Sequence, residues 1–129
     1  MQNIKKDLRE LSSQEFAKKL AQVALDKKAT DVVILDVHKV SGFTDYFVIM
    51  SGRSSRHVQG LAAAIENEVS KKRFNTLTEG LTEGQWVLLD LGDVVVHIFY
   101  HENRGFYDLE NLWHDAPRIE VDGQEQDQD

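Results

Sequence analysis

The sequence predicts a single α/β domain: a mixed β-sheet with flanking helices. Three observations carry that expectation. At 129 residues the chain has room for one ordinary domain and not two. Short β-branched runs alternate with stretches whose apolar residues recur at helical spacing. A long helical pattern also lies between strand-like runs in the middle, inviting a right-handed strand–helix–strand crossover.

The elements follow in order α-β-β-α-β-β-β-α. Residues 1–11 form an N-terminal extension in which Ile4, Leu8 and Leu11 make at most a short amphipathic turn. "SSQEFAKKLAQVALDKK" (12–28) is a helix, opened by a capping box of Ser12 and Glu15 and striped by Phe16, Leu20, Val23 and Ala24. "DVVILDV" (31–37) is a strand apolar on both faces, and "DYFVIMSG" (45–52) is a second one after the loop "HKVSGFT". A helix from about Ser54 to Lys72 buries Val58, Leu61, Ala62, Ile65 and Val69. Lys71, Lys72 and Arg73 close it as complements to its dipole. "NTLTEGLTEGQ" (75–85) is extended, with two glycines.

"WVLLDLGDVVVHIFY" (86–100) is a hairpin whose loop contains Gly92. "ENRGFYDLENLW" (102–113) is a short helical element with Phe106, Leu109, Leu112 and Trp113 near one face, ended by Pro117. The domain therefore spans 12–116. The remainder, 117–129, reads as an acidic disordered tail, since 118–129 has five acids, one arginine and little to bury.

Composition narrows the function. With no cysteine, disulfides, thiolate catalysis and cysteine-based metal sites are excluded. The acid-bearing N-terminus lacks a signal-peptide core, and no run approaches a membrane span, so a cytoplasmic protein is expected. A formal charge of −7 disfavours general nucleic-acid binding and suits a basic protein partner.

Candidate chemistry is thin. "SGRSS" (51–55) could cradle an anion at a helix start, with Arg53, Ser54 and Arg56 as contacts. It has no Walker A lysine run, and plain N-capping accounts for its hydroxyls. Asp90 and Asp93 hint at a nucleotidyltransferase metal pair, but residues three apart on a strand do not share a face. Both are better read as turn chemistry. Among the five histidines, His97 and His101 lie four apart on or just past a strand, outside any helical zinc motif. No catalytic centre, metal site or cofactor is expected; a nucleotide- or RNA-processing enzyme built on the "SGRSS" turn is the alternative.

The hairpin points elsewhere. On the first arm, alternation sets Val87 and Leu89 on one face and Trp86, Leu88 and Asp90 on the other; on the second arm, Val94, Val96, Ile98 and Tyr100 share one face and Asp93, Val95, His97 and Phe99 the opposite one. Neither face is polar. One packs under the helices, and the other needs cover from this chain or from a partner, for which a tryptophan is a favoured anchor.

"DVVILDV…SGFTDYFVIMSG", "SGRSSRHVQGLAAAIE" and "EGQWVLLDLGDVVVHIFYHENRGFYDLENLW" together resemble the ribosomal silencing factor RsfS (Iojap-related) family, from about Ser13 to Trp113. The resemblance implies a nucleotidyltransferase-like topology without the catalytic acids. It implies binding to the large ribosomal subunit through ribosomal protein uL14, a block on small-subunit joining, and repression of translation when nutrients are short. Organelle relatives are tied to large-subunit biogenesis, and homodimers occur. Carried over by motif, Trp86, Asp90 and Asp93 would face the basic ribosomal protein. The aromatic–acidic segment maps onto Phe106, Tyr107, Asp108, Leu109, Leu112 and Trp113, of which Tyr107 or Trp113 could equally be core. Arg53, Ser54 and Arg56 would at most lie near ribosomal RNA.

Overall fold

The protein is described by a computed structural model covering residues 11–70 and 77–124; the extension 1–10, the basic triplet Lys71–Arg73 and the last five residues lie outside these. Its elements are α1 (Ser13–Asp26), β1 (Thr30–Asp36), β2 (Tyr46–Gly52), α2 (Ser55–Ser70), β3 (Leu77–Glu79), β4 (Trp86–Asp90), β5 (Val94–Tyr100), α3 (His101–Tyr107), α4 (Leu109–Leu112) and β6 (Arg118–Ile119). The sheet has six strands in the order β3-β4-β5-β2-β1-β6. β2 and β5 are parallel neighbours, and every other pairing is antiparallel. This is the expected mixed α/β domain, with α2 in the crossover between the parallel strands.

α1 starts where the capping box places it. Ser12 Oγ accepts the Glu15 N–H at 3.1 Å, and Glu15 Oε1 accepts the Ser12 N–H at 3.1 Å. Four orphan amides open every helix, and a cap of this kind contributes about 1 kcal/mol. Ser12→Ala should therefore lower unfolding stability by about 1 kcal/mol in urea titration.

α1 and α2 pack on one sheet face. Phe16, Leu20 and Ala24 of α1, and Val58, Leu61, Ile65 and Val69 of α2, meet Val32, Ile34, Val48, Met50, Val87, Leu89, Val94, Val96 and Ile98. The opposite face carries Leu35, Phe47, Ile49, Val95 and Phe99, beside Val37 just after β1. Both faces are apolar, as the β1 and hairpin patterns require.

Two parts depart from expectation. The last helical stretch is broken: Asp108 takes a left-handed conformation (φ 48°, ψ 49°) and separates α3 from α4. Leu109 and Trp113 then pack on the second sheet face, while Leu112 points outward, 72% exposed. Residues 117–124 also depart from the solvated tail their composition suggests. Ile119 and Arg118 pair with Ile34 and Leu35 as β6. The Pro117 carbonyl accepts the Asp36 N–H at 2.8 Å. The Gln124 side chain accepts the Val32 N–H through Oε1 (2.7 Å) and donates from Nε2 to the Val32 carbonyl (2.9 Å). An open strand edge presents unmet backbone groups, and this segment satisfies those of β1 while tucking Ile119 and Val121 against the core.

Candidate functional site

The turn after β2 is occupied by its own structure. Ser54 Oγ accepts the His57 N–H at 3.0 Å, making Ser54 the N-cap of α2. His57 Nδ1 accepts the Arg53 N–H at 3.0 Å, so its other nitrogen carries the ring proton and donates to the Lys27 carbonyl at 2.8 Å. Gly52 is needed for this approach, since a Cβ there would lie 2.9 Å from Val58 Cγ2. The hydroxyl, the imidazole and the glycine serve capping and close packing. The same bonds bring the end of α1 against the start of α2. Lys27, Lys28, Arg53 and Arg56 are exposed there, and no carboxylate among the described residues forms an ion pair with them.

The two hairpin acids do different things. Asp90 Oδ1 accepts the Gly92 N–H at 3.0 Å, stabilising a loop in which Gly92 has φ 89°. The Asp93 carboxylate instead accepts Ser13 Oγ at 3.2 Å, tying the hairpin to α1. Among the described residues no group of three metal-binding side chains assembles.

Trp86 lies at the other end of β4 from Asp90, in an aromatic row on the second sheet face. Its ring stacks on Phe99 at 5.2 Å and lies 6.0 Å from His97. His97 meets Phe47 edge-on at 4.9 Å, and Phe47 meets Trp113 edge-on at 5.3 Å. The row thus runs from β4 to the residue just after α4. α1 and α2 both lie on the other face, so among the described residues cover here comes from Leu109, Trp113 and Ala116. Val33, Trp86 and Leu88 remain partly exposed at the rim.

His97 is the polar member of this row, only 5% exposed. The Trp86 indole N–H can only donate, and it reaches His97 Nδ1 at 3.2 Å. The ring proton must then sit on Nε2, which has no hydrogen-bond partner among the described residues. Burial pushes the His97 ring down from 6.5 to about 4. Between those values the unfolded chain holds a proton the folded chain refuses, so stability is full above pH 6.5 and falls as pH drops towards 4. The loss is on the order of 3 kcal/mol. Glu110, held below the ordinary carboxylate range by its hydrogen bond from Arg104, adds its own loss only at lower pH. Urea titrations at pH 7 and 4.5 should show the drop, and His97→Phe should remove most of it.

Of the residues singled out from sequence, Trp86, Leu109 and Trp113 come together on this face. Asp90 stands at the far end of β4, Asp93 is bound to Ser13, and Asp108 and Leu112 are exposed on the α3–α4 elbow. The side chains of Phe106 and Tyr107 lie outside the described set. Phe47 was hidden from the sequence reading. It joins the row because parallel pairing sets Phe47 beside Val95 and Ile49 beside His97, a long-range register no local pattern displays.

Known proteins match this architecture and sequence together. The family described as "Ribosomal silencing factor during starvation" matches residues 10–129, which includes the C-terminal segment outside the resemblance seen in the motifs. The chain is 41% identical over 112 residues to the ribosomal silencing factor RsfS of Bacillus subtilis, covering 85% of this chain and 95% of that protein. It is 36% identical over 107 residues to the chloroplastic protein Iojap of Zea mays, covering 82% of this chain and 46% of that one. A crystal structure from Bacillus halodurans superposes with a TM-score of 0.75 at 37% identity, covering 84% of this chain and 99% of that chain.

Proposed function

The chain belongs to the ribosomal silencing factor RsfS family, and from that premise we propose that it represses translation by docking, without catalysis, on the large ribosomal subunit. In this reading the docked protein occupies the surface that the small subunit needs, during nutrient limitation in the cytoplasm. Ribosomal protein uL14 is the partner, and the partly exposed rim of the aromatic row, with Trp86 at its centre, is the contact. The observation that carries the reading is that rim: an apolar sheet face on which Val33, Trp86 and Leu88 stay partly exposed beside the cover given by the described residues. Uncovered apolar surface of this kind marks interaction sites. The same rim would support a homodimer in the free protein.

Tyr107, Asp108 and Leu112 on the α3–α4 elbow, and Asp90 and Asp93 on the hairpin, would extend the contact towards a basic partner. On the α1–α2 side of the sheet, Lys27, Lys28, Arg53 and Arg56 would lie near ribosomal RNA, with Ser54 engaged as a cap rather than free for a phosphate.

The test is sedimentation with purified subunits. The protein should travel with the large subunit and reduce the yield of joined ribosomes. Unchanged joining, with no protein in the large-subunit fraction, overturns the reading. A salt titration separates the two surfaces. Arg53→Ala with Arg56→Ala should flatten the salt dependence of binding by about two phosphate contacts if those residues meet RNA.

A further inference from the structure

Trp86 sits at an edge of the aromatic row, partly exposed. Two residues among those described hold its ring. Phe99 supports its ring from the neighbouring strand at 5.2 Å. His97, two residues earlier on β5, accepts its N–H at 3.2 Å. Phe99 supplies area without direction, whereas the hydrogen bond fixes which edge of the indole faces the sheet. The histidine is itself immobilised, 5% exposed and edge-on to Phe47 at 4.9 Å. Among the described residues its Nε2–H also meets no acceptor, a buried donor that a phenylalanine or leucine would not carry. An apolar side chain there would remove the orphan donor, and the indole N–H of the partly exposed Trp86 could turn to water, so stability alone does not call for a histidine.

We propose that His97 is a positioning residue for the docking face: its Nδ1 holds the Trp86 indole in the single orientation that meets the partner. This role rests on the reading of Trp86 as the ribosomal anchor. It assigns to the buried histidine the pre-organisation of that anchor, which lowers the entropy lost on docking. No contact between His97 and the partner is required.

The experiment uses the full chain and two readouts: hydrogen exchange of the Trp86 indole N–H by NMR, assigned against Trp86→Phe, and affinity for purified large subunits. In the wild type the indole proton should be protected. His97→Phe should fold with unchanged or higher Tm at pH 7, yet exchange that proton faster and bind about three- to tenfold more weakly, the worth of one neutral hydrogen bond. His97→Leu serves the same purpose if the larger ring disturbs packing. His97→Asn, which can place an amide oxygen near the Nδ1 position, should restore protection and affinity in part despite poorer packing. A merely structural histidine predicts the reverse ranking, with affinity following Tm. Unchanged exchange and affinity in a folded His97→Phe or His97→Leu variant overturns the role alone. Absence of wild-type binding overturns the docking reading and this role together.

Discussion

Trp86→Ala is expected to weaken binding to the large ribosomal subunit by about 2 kcal/mol or more, roughly thirtyfold, the cost typical of losing an aromatic hot spot. The side chain joins three features an anchor needs: a large ring, partial exposure at the rim, and support from Phe99 and His97 beneath it. Truncation also removes the stack on Phe99 and strands the His97 acceptor, so stability will fall as well. The affinity measurement therefore needs thermal unfolding beside it, at a temperature where both proteins are folded. Trp86→Phe is the informative companion. It keeps an aromatic ring on Phe99 and loses the N–H donor and part of the ring area, so its affinity should lie between wild type and alanine. Wild-type affinity in a folded Trp86→Ala protein would remove this residue from the interface and move the contact to the α3–α4 elbow.

Gly80→Ala should be the most damaging small substitution in the sheet. Gly80 follows β3 with φ +84°, and a Cβ there would fall 2.0 Å from the Trp86 carbonyl oxygen. The obstacle is backbone at the first residue of β4, and it cannot rotate aside as a side chain would. Left-handed strain alone costs an alanine about 1–2 kcal/mol, and the clash adds to it, for a total of about 3 kcal/mol or more. A fall in Tm on the order of 10 °C is expected in calorimetry. Gly92→Ala is the control. Its φ is +89°, but nothing lies within 4 Å of the added Cβ, so it should show the strain without the clash, about 1 kcal/mol. Equal losses at the two positions would mean that the β3–β4 turn yields around the extra methyl. Because Gly80 lies against the residue that starts β4, a partly folded Gly80→Ala protein should also bind large subunits less tightly.

The legible parts of the fold were those governed by short-range rules. The capping box of Ser12 and Glu15, the buried stripe of α2 and the alternation of the β4–β5 hairpin each depend on residues within a few positions of one another. The separation of Asp90 from Asp93 was also visible, because strand periodicity keeps them from sharing a face; the structure engages them with different partners, Gly92 and Ser13. The broken last helix was less legible. "FYDLENLW" carries a helical pattern throughout, and only the left-handed Asp108 turns Leu109 and Trp113 onto the sheet while leaving Leu112 outside. The C-terminal segment misled through its composition. Glu120 and Asp122 face outward, yet Ile119, Val121 and Gln124 are sufficient to close the β1 edge.

Sequence by itself determined the class of the protein: a cysteine-free, acidic α/β domain with an apolar hairpin and motifs that place it among the ribosomal silencing factors. Those properties follow from residue identity, local periodicity and the order of motifs along the chain. Tertiary structure alone decided how the second sheet face is shared between the chain and its surroundings. The parallel pairing of β2 with β5 brings Phe47 to His97, the α3–α4 elbow covers one part of the row, and the Trp86 rim is left partly exposed. The reason is physical: local pattern shows that a face is apolar, but cover depends on strand order, register and chain reversal, which are set by contacts between residues far apart in sequence.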